Sequence, residues 1–219
     1  MSQVSLKIRK RLLEKYRDEK VYELFIGPQH PASGHMRFII RLEGDIIVDV
    51  DPDIGYVHRT MEKLAETREY IKVIPLLERI TIIDSCNITL CYVRALEKLL
   101  DVEPPPRARY LRTLLCEINR IASHLYGMGL AGIFINHSTM FMWGFGDREI
   151  WLQLAEDLTG ARLTHTYNIP GGVRYDLPAD FANNARKAIR YMRRRLKDYM
   201  KIFFENPHYV LSPHPYSNE

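Results

Sequence analysis

The sequence predicts an α+β chain, a small amino-terminal antiparallel β-sheet followed by a mainly α-helical bundle. Three observations carry that prediction. Phe38, Ile40 and Leu42 alternate with Arg37, Ile39 and Arg41, the period of two that suits a half-buried strand. From Gly55 onward the apolar spacing changes to threes and fours, the period of a helix. Chain breakers then fall between the helical stretches: a triple proline at 104–106, Gly160, and Gly171-Gly172.

Taken in order, residues 1–20 are expected to form an amino-terminal basic helix, with seven Lys or Arg between positions 7 and 20 against Glu14, Asp18 and Glu19. Residues 21–54 form the small antiparallel β-region. Tyr22–Ile26 reads as a strand ending at Gly27-Pro28, the alternating run follows, and Gly44-Asp45 turns the chain into a returning strand over 46–50. Residues 55–205 form the helical bundle. Asp53 is placed to cap a helix running to about Glu69, with Met61, Leu64 and Ala65 on one face. Pro75 interrupts, and a second helix runs from about Glu78 to Leu100. Pro106 opens the next, to about Tyr126, with Ala108, Leu111, Leu115, Ile118, Ala122 and Leu125 in one stripe. Another spans about 145–158 and stops at Gly160, and a long basic helix covers 178–204. Residues 206–219, rich in Pro, Tyr, His and Ser, read as an extended tail.

Composition narrows the class. Apolar residues make up 46% and charged residues 26% of 219, which is globular rather than disordered. A net charge of +4 without an aromatic-interleaved basic stripe gives no support for nucleic-acid binding. The charge is uneven, however: eight basic residues between 186 and 201 face Asp198 alone, which suits a solvated helix face or docking onto an acidic partner or anionic lipid. The three cysteines, Cys86, Cys91 and Cys116, make no CxxC pair, so no zinc ribbon or cysteine-held iron–sulfur cluster is expected. An odd count suits a reducing interior, and no apolar run reaches the roughly 20 residues of a membrane span.

Three clusters are chemically suggestive. Gly27-Pro28-Gln29-His30-Pro31, followed by His35, lies between two strands and can present imidazole proton donors, or simply form a turn whose histidines bond locally. Gly55-Tyr56-Val57-His58-Arg59, with Glu62-Lys63 beyond it, can set an Arg–His pair beside an anion or redox centre, or form ion pairs at a helix start. Glu117, Arg120 and His124 share one helical face and suit either a proton-conducting line or helix packing.

In their order along the chain, these words resemble the hydrogenase-like large subunit of complex I, the D-type subunit, over its amino-terminal half. The matching words are GPQHP (27–31), GYVHR (55–59), ALEKLL (95–100), EPPPRARYLR (103–112), EINRIASHL (117–125), TGAR (159–162) and IPGGVRYDLP (169–178). TYNIPGGV is nearest to archaeal membrane-bound relatives. The resemblance implies a subunit of a complex I-like assembly, peripheral on the cytoplasmic face of the cell membrane. Its implied neighbours are membrane-arm subunits and a small subunit whose cysteines hold a 4Fe–4S cluster, with a second polypeptide for the family's other half. It implies electron transfer from that cluster to quinone, His30 or His35 as proton donor, His58 and Arg59 beside the cluster, and His165 as a redox-linked base. NAD would be used elsewhere in the complex, since no GxGxxG word is present here.

The departures from that pattern are specific. The second loop histidine of quinone-reducing members falls on Gly34, their quinone-binding tyrosine on Ile82, and their pocket aspartate on Phe134; neither Ile nor Phe donates a hydrogen bond. The two CxxC pairs that hold nickel and iron in hydrogenases are missing, so no metal is assigned. Two alternatives therefore stand beside quinone reduction: a quinone-independent relative that reduces sulfur or pumps ions, and a non-catalytic scaffold.

Overall fold

The computed structural model describes residues 20–30 and 33–205; all of the expected helix over 1–20 except Lys20, and the tail over 206–219, lie outside the described residues. The chain divides into two compact units, residues 1–59 and 60–219. The α+β expectation holds.

The first unit carries an antiparallel sheet in the order β1 (Val21–Ile26), β2 (Arg37–Glu43), β3 (Ile46–Asp53). Its register pairs Leu24 with Ile40 and Ile40 with Val50, while Glu23 faces Arg41 and Arg41 faces Asp49. Directly opposed residues share a face, so one face is apolar and the other is a ladder of charges. Arg41 bonds Asp49 at 2.6 Å and Glu23 at 3.3 Å, and Arg37 pairs with Asp53. On the charged face Arg41 is buried between partly exposed carboxylates, whereas on the apolar face Leu24 and Val50 are nearly half exposed. Asp53 ends β3 and caps no helix.

The second unit is helical. After α1 (Met61–Glu66) and α2 (Tyr70–Leu77) comes a single 3-10 turn at Ile82–Asp84, then α3 (Ser85–Leu100), α4 (Pro106–Phe134) and α5 (Ser138–Thr159). A two-residue hairpin, β4 (Asn168–Ile169) and β5 (Gly172–Val173), precedes α6 (Phe181–Tyr199), which runs on into a π-turn at Met200–Phe204. Pro75 sits inside α2 rather than between helices; lacking an N–H, it forfeits one helical bond without stopping so short a helix. The expected helix over 78–100 starts instead at Ser85.

All six members of the predicted α4 stripe are buried, and the five from Leu111 to Leu125 share one core with Trp151, Leu154 and Leu158 of α5 and Met192 and Tyr199 of α6. Each fully buried aliphatic side chain contributes roughly 1.5–3 kcal/mol. Helix α4 continues past Tyr126, and α5 begins before residue 145, because glycines let the two backbones meet. A Cβ at Gly144 would sit 2.7 Å from the Leu125 carbonyl oxygen and 3.1 Å from the Gly129 Cα. As expected, Pro106 opens α4 and Gly160, at φ 77°, closes α5.

Candidate functional site

His165 lies in the second unit, in the loop between α5 and β4, and is 4% exposed. Neither ring nitrogen has a hydrogen-bond partner among the described residues. Burial pushes its pKa down to about 4; the nearby Arg162 backbone pulls weakly the other way without meeting hydrogen-bond geometry. The ring is therefore neutral at physiological pH, with two buried polar atoms that the described residues leave unmatched.

The loop around it is held tightly. Ser85 Oγ donates to the Leu163 carbonyl at 3.2 Å, and Asn168 Nδ2 donates to the Cys86 carbonyl at 3.3 Å. The fully buried Glu78 accepts from both the backbone N–H and the hydroxyl of Thr166, the latter at 2.7 Å. Thr166 has a φ of 42°, the left-handed region that β-branched residues avoid. Strain of this kind persists only where surrounding bonds over-determine it, and it sits directly after the histidine. Burial raises the Glu78 pKa, while the Thr166 bonds, Arg79 and Arg174 oppose that rise.

The other predicted site residues belong to the first unit. The β1–β2 loop closes on Ser33, whose hydroxyl donates to the His30 carbonyl at 3.0 Å, and Gly27 turns at φ 90° where a Cβ would meet the Met36 carbonyl. His30 and His35 are exposed, the latter at φ 69°. His58 and Arg59 are also exposed. They precede α1 in a turn where the His58 N–H donates to the Gly55 carbonyl at 3.0 Å, so they do not open the helix as expected.

Residues 135–211 match the family model described as "Respiratory-chain NADH dehydrogenase, 49 Kd subunit". The chain is 40% identical over 185 residues to the D-type subunit of the F(420)H(2) dehydrogenase of Methanosarcina mazei, covering 84% of this chain and 50% of that protein. It is 37% identical over 204 residues to the D-type subunit of the NADH-quinone oxidoreductase of Chlorobium chlorochromatii, covering 93% and 51%. A chain of a membrane-bound sulfane sulfur reductase, an archaeal respiratory membrane complex, superposes with a TM-score of 0.84 at 36% identity, over 88% of this chain and 52% of that one. The chain belongs to the D-type, 49 Kd subunit family of complex I-like oxidoreductases. It spans about half the length of the curated relatives it matches.

Ile82 and Phe134, which the resemblance sets at the expected tyrosine and aspartate positions, are apolar side chains 50% and 56% exposed. Glu117, Arg120 and His124 all face outward, with Glu117 and Arg120 in an exposed ion pair at 3.1 Å, so they take no part in this chain's own core. The buried charges are elsewhere. Arg112 chelates Glu97 at 2.6 and 3.0 Å and donates to the Ile169 and Gly172 carbonyls, clamping the β4–β5 hairpin. Burial alone would raise the Glu97 pKa, but Arg112 and the Gly171 N–H hold it low. Asp147 accepts from Tyr191, Tyr199 and Arg195, and Arg195 stacks 4.1 Å above Trp143. Only the breakers around these residues signalled them: EPPPRARYLR and IPGGV are far apart in sequence and meet through Arg112. Among the described residues no helix is long and apolar enough to cross a membrane, and no group of three metal-ligating side chains gathers.

Proposed function

We propose that this chain is the part of a complex I-like membrane-associated oxidoreductase that lines the electron exit from an iron–sulfur cluster held by a partner small subunit. The observation that carries the reading is His165: a buried, neutral imidazole with both nitrogens unpartnered, in a loop pinned by Glu78, Ser85 and Asn168. Such a ring is suited to take up a proton when a neighbouring centre gains negative charge, because its own surroundings supply no competing hydrogen bond. The cluster supplies one-electron transfer; this chain supplies the proton-accepting nitrogen and its fixed orientation. Arg59 and His58 are the proposed neighbours of the cluster, and His30 or His35 the proton donors to the acceptor. NAD oxidation belongs to other subunits of such an assembly, and the chain sits peripherally on its cytoplasmic side.

A second reading is favoured by one observation. Ile82 and Phe134 offer no hydrogen-bond donor to a quinone oxygen, which suits an acceptor other than quinone, such as a sulfur compound. Side-by-side assays of the purified complex decide between the two, with quinone and polysulfide as acceptors and His165→Gln and Arg59→Met as variants. The proposal expects both variants to slow reduction of whichever acceptor is used. Unchanged rates with every acceptor contradict it and leave the scaffold role.

A further inference from the structure

Cys86, in the first turn of α3, and Cys116, in the middle of α4, meet in the core with their sulfurs 3.2 Å apart. Unbonded heavy atoms normally rest at roughly 3.5–4.0 Å, and sulfur is larger than carbon, so this contact is already compressed. A disulfide needs about 2.05 Å between sulfurs, a further approach of about 1 Å. Both thiols are buried, at 1% and 4% exposure, while Cys91 lies on the exposed face of α3. The Asn168 amide donates to the Cys86 sulfur at 3.5 Å, a contact that favours negative charge on sulfur.

We propose that Cys86 and Cys116 are a redox-convertible pair that closes to a disulfide, tying α3 to α4 beside the loop that carries His165. The oxidant is a hydroperoxide small enough to reach a core thiol during local opening. Cys116, the more exposed of the two, loses its proton first, helped by the hydrogen bond its sulfur accepts from the Cys86 thiol, a bond that in turn raises the Cys86 pKa. The Cys116 sulfur attacks a peroxide oxygen, the O–O bond breaks, and hydroxide leaves as water, giving a sulfenic acid. The Cys86 sulfur then attacks the Cys116 sulfur as its own proton departs; the S–O bond breaks, the second water leaves, and the S–S bond forms. Two thiols lose two electrons and two protons, and one hydrogen peroxide becomes two waters. The linkage is short in space and joins positions 30 residues apart, so closing it fixes the Ser85–Cys86 turn whose groups hold Leu163 and Asn168.

The alternative is two thiols packed as small apolar groups that never react. The test uses the full chain, reduced and desalted, then treated with hydrogen peroxide, unfolded, alkylated and mapped by mass spectrometry. The proposal expects protection of Cys86 and Cys116, a linked peptide pair lighter by two hydrogens, and reversal by dithiothreitol. C91S keeps that linked pair, and C116S loses it. Full alkylation of all three cysteines after oxidation, a linkage through Cys91, or sulfinic acid at Cys116 without a linked pair would overturn the assignment. Because the decisive map is made on the unaltered chain, a folding defect in C116S does not obscure the outcome.

Discussion

The two units of this chain treat polarity in opposite ways. In the sheet unit the buried side chain is a charged one, Arg41 between Glu23 and Asp49, while Tyr22, Leu24, Ile47 and Val50 stand open. In the helical unit the apolar stripe is enclosed, and two buried carboxylates are matched by several donors each, Glu97 by Arg112 and Asp147 by two tyrosines and Arg195. His165 breaks that pattern, the one described residue with two buried side-chain atoms lacking partners. The difference teaches where an unusual residue carries information. An exposed histidine such as His30 or His35 costs nothing and signifies little by itself, whereas a buried ring with both nitrogens unmatched has a free-energy cost that calls for a reason.

The largest effect should come from breaking a matched buried pair. Glu97→Ala strands the Arg112 guanidinium and is expected to destabilise the chain by about 3–5 kcal/mol in a denaturant titration. A loss below about 1 kcal/mol would show that water reaches the pair.

Acid should expose the unmatched ring next. The folded pKa of His165 is depressed to about 4 against a usual 6.5, so between those values the unfolded chain binds the proton and the folded chain does not. Stability is therefore present above pH 6.5 and lost as pH falls toward 4, by on the order of 3 kcal/mol. Glu78 acts with the opposite sign: its raised pKa favours the folded state at low pH and withdraws that contribution as pH rises. His165→Phe should flatten the acid limb of unfolding curves, and an unchanged limb would assign it to other groups.

Two further substitutions sharpen the contrast between the units. Gly144→Ala pushes a methyl into the Leu125 carbonyl and is expected to cost about 1–3 kcal/mol by thermal unfolding. Val50→Thr, on the open face of the sheet, should stay within about 0.5 kcal/mol. A larger loss there would mean that the face is covered.

Much of the fold was legible because periodicity reports burial directly. The alternation at 37–42 and the stripe from Ala108 to Leu125 both appear as elements. Periodicity could not say which sheet side chain is buried, since Arg41 owes its burial to carboxylates on two neighbouring strands. Nor could it extend α4 through Gly129 and Gly132, which read locally as breakers but serve a close helix crossing. Glu117, Arg120 and His124 show the same limit: spacing places them on one face without telling whether that face is wet. His165 was reachable only through the family words around it, because its burial depends on residues as distant as Glu78 and Ser85.

The most direct measurement is the midpoint potential of the proposed partner cluster against pH, in the purified complex, for the unaltered chain and His165→Gln. If the ring takes up a proton on reduction, the potential falls with rising pH by a slope approaching roughly 59 mV per unit, and the variant flattens it. Identical slopes for the two proteins would contradict a redox-linked role for His165.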